Sequence, residues 1–310
     1  MRKTERQDYI AHRIQLALRR RKVLSSLAVQ HRTCEVGAPR LDPRLVARYL
    51  SVASSTGGLR ITKEGLYATS EIDTSELKEH SKAASKTMLR YDLAPSGMNQ
   101  NIVEIITRVS DVLRIALDDH RIAANTVSDL PSEGTTLTLE VTRSNGAPLL
   151  LLFDYSVDWL YPDSPMLWKH LKQAMEINAH PTLLVRKVAP ITFPLLAGFG
   201  ARALQYYNML WNADLPDRLI DDADMLGLPK ITPTDDLNRL PAFGQLLRLL
   251  GERPPRWHPP AEIALADASE RGFLEKGASP GVLAEWAHEN SEFSPKWAAG
   301  LRDWALGPTW

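Results

Sequence analysis

The chain of 310 residues is 44% hydrophobic and 24% charged, with 37 Lys/Arg balancing 37 Asp/Glu. This is the make-up of a soluble globular protein with room for one large domain or two ordinary ones. No apolar run approaches the roughly 18 residues of a membrane helix, the N-terminal stretch lacks a signal-peptide core, and the single cysteine, Cys34, excludes an internal disulfide and a multi-cysteine zinc site and suits a cytoplasmic location.

Residues 4–30 read as one helix with a rough apolar stripe through Ile10, Ile14, Leu16, Leu18, Val23, Leu24 and Leu27, and with the basic cluster Arg19, Arg20, Arg21 and Lys22 on top of it. Residues 1–50 hold about 12 Lys/Arg against about 4 Asp/Glu, a basic arm that suits a phosphate-bearing partner or simply a solvated helix face. Asp42 and Pro43 can cap and open a second helix over 43–54. The runs LRIT (59–62) and LYAT (66–69), joined through Lys63-Glu64-Gly65, predict a hairpin. A short helix followed by a hairpin fits a winged-helix fragment, and it equally fits any small α+β cap. Residues 75–90 read as a polar helix. A long helix starting near Ser96 or Asn99 runs to about Asp119, with apolar residues at Ile102, Val103, Ile105, Ile106, Val109, Val112, Leu113 and Ala116.

The middle third has the clearest pattern. Residues 135–142 alternate and are rich in Thr, Leu and Val, predicting a half-buried strand. Asn145-Gly146 is a hairpin signal, and 149–153 is the continuous apolar run of a strand covered on both faces. Ser164 and Pro165 can start a helix to about 178, and 182–188 is another buried-strand candidate. The helix between these two strands permits a right-handed parallel crossover. Residues 192–211 read as helix with a break near Gly198-Phe199-Gly200, and 234–307 as helices parted by Pro-rich turns, chiefly at 251–260. The expected fold is mixed α/β, a central mixed sheet flanked by helices. Its expected divisions are a basic N-terminal helical region (1–95), an α/β core (96–232) and a C-terminal helical region (233–310).

Within that core a long helix carries Glu104, and the two strands of the following hairpin carry Glu140 and Asp154. A helix with Lys169 and Gln173 and a buried strand come next. This order resembles the PD-(D/E)XK, restriction-endonuclease-like, nuclease superfamily over roughly residues 99–210. The resemblance implies a metal-dependent deoxyribonuclease. Asp154 and Glu140 would hold Mg²⁺, Gln173 would match the helix glutamine, and Glu104 the early helix acid. Clustered carboxylates suit this chemistry because a divalent cation can neutralise the phosphate and sharpen a water. The family's acid-x-Lys is here Asp154-Tyr155-Ser156. Either Lys169 supplies the ammonium from the helix, or the site is degenerate and the domain binds without cutting.

Each candidate also has a plainer reading. Glu104 can pair with Arg108 at i,i+4, Glu140 can be an outward strand residue, and Asp154 can close its strand with an Asx turn. Lys169 and Gln173 can be helix surface, with Lys172 and Glu176 as an ion pair. Arg186 and Lys187 can meet phosphate or merely solvate a strand end. Asp221, Asp222 and Asp224 read as acids opening a helix. His170 and His180 lack partners at zinc-ligand spacing, and neither a G-x-S-x-G elbow nor a Gly-rich phosphate loop occurs. Tyr206, Tyr207, Trp211, Trp286, Trp297, Trp304 and Trp310 suit core or interface packing.

Two functions follow as expectations. One is a DNA endonuclease of a defence, mobile-element or repair system, with Arg19, Arg20, Arg21, Lys22, Arg186 and Lys187 gripping the DNA. The other is an inactive nuclease-fold subunit, a DNA-binding or protein-docking scaffold. DNA is the expected partner in the first and a protein partner or second copy in the second, with no membrane in either.

Overall fold

In the computed structural model the first helix, α1 (Lys3–Arg21), stops early. Lys22 takes a left-handed backbone (φ 67°), β1 (Val23–Leu24) follows, and Ser25 caps α2 (Ser26–Gln30) by accepting from the Ala28 amide at 3.2 Å. The single helix expected over 4–30 is thus two helices parted by a short strand, and a serine within the apolar stripe supplies the second one's N-cap. The structure describes residues 3–35, 41–92, 102–126, 136–142, 147–156, 158–211, 217–252 and 257–293. The Asn145-Gly146 turn, the Ser96/Asn99 helix start and Trp297, Trp304 and Trp310 lie outside them.

A single π-turn (His31–Glu35) extends α2. Asp42, accepting from the Arg44 amide at 2.8 Å, caps α3 (Pro43–Ser55), whose first residue is the proline expected there. The hairpin β2 (Leu59–Ile61) and β3 (Tyr67–Thr69) turns through Gly65 (φ 76°), and α4 (Thr74–Asp92) follows. Then come α5 (Ile102–Asp119), β4 (Ala124–Thr126), β5 (Thr136–Val141), β6 (Leu149–Asp154), α6 (Pro165–Glu176) and β7 (His180–Val185). The remaining elements are α7 (Thr192–Gly198), β8 (Arg202–Gln205), β9 (Met209–Trp211), α8 (Asp217–Leu226), β10 (Ile231–Pro233), a 3₁₀ turn (Thr234–Arg239), α9 (Pro241–Gly251), α10 (Pro259–Glu270), α11 (Phe273–Lys276) and α12 (Pro280–Glu289). No described helix is long and apolar enough to cross a membrane.

The chain divides into two units, one made of 1–101 with 213–231 and the other of 102–212 with 232–310. In the first, three antiparallel strands lie in the order β1-β3-β2, with Ala68 of β3 facing Val23 on one side and Arg60 on the other. Val23, Leu66, Ala68 and Ile72 pack together beneath α4. α8 joins this unit through ion pairs. Arg90 of α4 donates to the buried Asp222 at 2.6 Å, and Arg21 grips Asp224 at 3.1 and 3.2 Å. Asp221, Asp222 and Asp224 therefore sit inside α8 rather than opening it, and two of them serve as partners for arginines of earlier elements.

The second unit is a mixed five-stranded sheet in the order β4-β5-β6-β7-β8 with helices on both faces. The pairings of β4 with β5 and β5 with β6 are antiparallel, and those of β6 with β7 and β7 with β8 parallel. Every residue of β6 and β7 is buried, which explains their uninterrupted apolar runs. One face packs Leu139, Leu151, Phe153 and Leu204 against α5 and α9 through Val109, Leu113, Phe243 and Leu246. The other packs Leu152, Leu183 and Val185 against Leu167, Trp168 and Leu171 of α6 and against α10, α11 and α12.

Trp168 stands at the centre of that second layer. Its ring meets Phe273 at 5.3 Å and Trp286 at 5.1 Å, and its indole N–H donates to the Pro162 carbonyl at 2.8 Å. These contacts put the described C-terminal helices into the core of the unit, where the sequence pattern had set 233–310 apart. Over 192–211, helix covers only α7. Gly200 (φ 66°) ends that region, and the remainder forms β8, which pairs with β7, and β9, which pairs with β10, since strand pairing overrides a helix-like pattern in so short a segment.

Candidate functional site

Asp154 ends β6 at the carboxyl edge of the parallel strands, the edge where open α/β sheets bind ligands. Its register partners are Thr136 on β5 and Val185 on β7. Glu140 is paired with Leu150. Both acids therefore share one face of the sheet, but they are four residues apart along the ladder, about 13 Å at strand rise. The ladder thus sets Asp154 and Glu140 apart rather than side by side. Among the described residues no group of three or more His, Cys, Asp or Glu side chains is placed to hold a metal.

The helix candidates do not join Asp154 either. Lys169 is exposed on α6, Gln173 is half-buried one turn on, and Glu104 is exposed on α5, which packs on the opposite face of the sheet from Asp154. Arg108 donates to Asp235 at 2.9 Å rather than serving Glu104, and this bond holds the Asp235 carboxyl below its ordinary range. Lys172 donates to Ser269 at 3.2 Å.

What surrounds Asp154 is an internal network. One carboxylate oxygen accepts from the Ser156 amide at 2.9 Å, the Asx turn that closes a strand, and the Asp154 carbonyl accepts from the Tyr206 hydroxyl at 2.9 Å. Burial pushes the Tyr206 hydroxyl well above its ordinary pKa. The Asp154 charge adds to this and Arg186 opposes it, so the three groups lie within electrostatic reach of one another. Tyr155 donates to the Leu210 carbonyl at 3.0 Å.

Arg186 and Lys187, expected to meet phosphate or solvent, are 2% and 1% exposed. The chain after β7 does not emerge from the protein there. The Leu160 amide donates to the Lys187 carbonyl at 3.0 Å and the Val188 amide to the Gln205 side chain at 2.9 Å, so the loop before α6 and the end of β8 cover this segment. The Lys187 ammonium lies 5.1 Å from the centre of the Trp159 ring, a cation–π contact that suits a charge withdrawn from water.

The basic cluster of α1 is divided. Arg19 and Arg20 are exposed. Arg21 is held by Asp224, and Lys22 pairs with Glu76 at 2.8 Å. Other exposed cations of the first unit were not singled out from the sequence. Arg44 and Arg48 stand one turn apart on α3, and Lys63 stands at the β2–β3 turn. Their signal was present in the Asp42-Pro43 start and the Lys63-Glu64-Gly65 turn, but assigning them a shared module required the pairing of β1 with β3. Comparison with family models, curated proteins and solved structures finds no match for this chain.

Proposed function

We propose that the protein binds duplex DNA through its first unit and that its restriction-endonuclease-like core is a docking scaffold rather than a cutter. The observation that carries this reading is the element order α1-β1-α2-α3-β2-β3 with all strands antiparallel in the order β1-β3-β2. It is the arrangement of a winged helix, in which the helix before the hairpin enters the major groove and the hairpin turn reaches the backbone. α3 is that helix, Arg44 and Arg48 are its cations, and Lys63 lies at the turn. Three cations on such a module supply the salt-dependent phosphate contacts that dominate DNA affinity.

The nuclease-like reading of the core rests on α5, the β5–β6 hairpin, α6 and the parallel strand β7, the order that resembles the superfamily. The separation of Glu140 from Asp154 and the closed network around Asp154 favour the scaffold over the hydrolase. The test is duplex binding by fluorescence anisotropy across a salt series, beside plasmid incubation with Mg²⁺ or Mn²⁺. Arg44→Ala with Arg48→Ala should weaken binding and lower the salt slope by about one per phosphate contact removed, and the plasmid should stay intact. Absence of duplex binding at low salt would overturn the DNA reading. Plasmid cleavage lost in Asp154→Ala would restore the hydrolase.

A further inference from the structure

We propose that the first unit carries a pocket for a phosphate monoester on a small organic body, a nucleotide-type ligand, formed by the outer face of α1 and the turn after α2. A cavity of about 270 Å³ opens there, lined by Arg13, Leu16, Ala17, Arg20, Arg21 and Arg32. Arg13, Leu16, Ala17 and Arg20 follow the i, i+3, i+4, i+7 spacing of one helix face. That face flanks the one that buries Ile10, Ile14 and Leu18. The lining combines four guanidiniums with the apolar side chains of Leu16 and Ala17, and the carboxylate of Asp224 lies against two of those guanidiniums.

The guanidiniums of Arg13, Arg21 and Arg32 are held in place. Arg32 donates through Nε to the Gly227 carbonyl at 3.3 Å, and the Arg32 carbonyl accepts from Arg13 at 3.4 Å. Arg21 and Arg32 together already grip an oxyanion, the carboxylate of Asp224, at 3.1 to 3.3 Å, although the Asp224 side chain is 69% exposed. Arg21 spans both carboxylate oxygens from one terminal nitrogen and Arg32 adds a third bond, so two guanidiniums converge on one oxyanion as they would on a phosphate. A phosphate competes for them with more charge and one more acceptor oxygen, and Leu16 and Ala17 offer the body of the ligand an apolar surface. The cavity lies slightly below the usual span of ligand pockets, roughly 300–1,000 Å³, which limits the occupant to a small molecule or the terminal nucleotide of a strand.

The test uses the full chain and three probes at low salt: adenosine 5′-monophosphate, adenosine, and a DNA octamer with and without its 5′ phosphate. Adenosine 5′-monophosphate should bind and adenosine should not. Arg13→Ala with Arg20→Ala should weaken binding at least tenfold, and Asp224→Asn should tighten it several-fold by removing the internal competitor. Thermal melts check that each variant is folded. A preference for the phosphorylated octamer over the mononucleotide identifies a strand end as the source of the phosphate, and the reverse preference identifies a free nucleotide. Equal binding of adenosine and its phosphate, or unchanged affinity in a folded Arg13/Arg20 double variant, overturns the proposal. None of these outcomes depends on duplex binding by α3.

Discussion

Asp154 and Glu140 point to the same face of one antiparallel ladder from opposite ends of it, the first beside Thr136 and the second beside Leu150. Their surroundings make them unequal. Asp154 is 6% exposed and accepts the Ser156 amide, whereas Glu140 is half-buried. Asp154→Ala leaves that amide without its acceptor and should cost about 1–3 kcal/mol. Glu140→Ala should cost no more than about 1 kcal/mol. Urea denaturation of the two variants checks the ranking, and equal losses would contradict it.

His170 should make the second unit sensitive to mild acid. The ring is fully enclosed on α6, and burial pushes its pKa down from 6.5 to about 4, against a weaker pull from backbone groups of Thr182 and Leu150. The unfolded chain therefore takes up a proton near pH 6.5 while the folded protein does not. Stability present above pH 6.5 is lost as the pH falls towards 4, by up to about 3 kcal/mol. Asp224 and Asp235, whose carboxyls are held below 3.8 by their arginines, lose their contribution only at lower pH. Urea midpoints between pH 7.5 and 4.5 should fall in the wild type and flatten in His170→Met.

Two glycines should respond in opposite directions to alanine. Gly277 has φ 68°, and a Cβ there would lie 2.2 Å from the Asp163 carbonyl oxygen. Gly277→Ala must displace the backbone between α11 and α12 or that before α6, and should lower stability by more than 2 kcal/mol. Gly244 lies inside α9 with nothing near its would-be Cβ, so Gly244→Ala should stabilise by about 0.5–1 kcal/mol. Thermal melts of both variants read the signs.

Trp286→Ala should show that the described C-terminal helices and the sheet are one cooperative body. The indole is fully buried, packs on Trp168 and donates to the Ala264 carbonyl at 3.2 Å. Its loss should cost about 3–5 kcal/mol and shift the fluorescence and far-UV unfolding curves together. If the helices melted first while the sheet stayed intact, the shared core would be disproved.

The elements most legible from sequence were those with local causes. Leu149 to Phe153 announced a strand because both faces of β6 are buried, and Asp42-Pro43 announced α3 because a cap and a fixed φ act on their own neighbours. β8 and β9 were hidden, since Ala203, Leu204, Tyr206 and Leu210 keep a helix-compatible spacing and only pairing with β7 makes β8 a strand. The site was less legible than the fold. Which residue faces Asp154 is decided by register, and register depends on pairing across the whole ladder. The burial of Arg186 and Lys187 depends on Leu160 and Gln205, which lie 18 or more residues away in the chain.

The path of the chain between the two units has a practical corollary. Because 213–231 returns to the first unit, the backbone passes from one to the other three times, and Asp222 and Asp224 reach Arg90 and Arg21 only from within that returning segment. A fragment ending near residue 101 would keep the arginines and lose their counterions. A single proteolytic nick therefore releases neither unit whole.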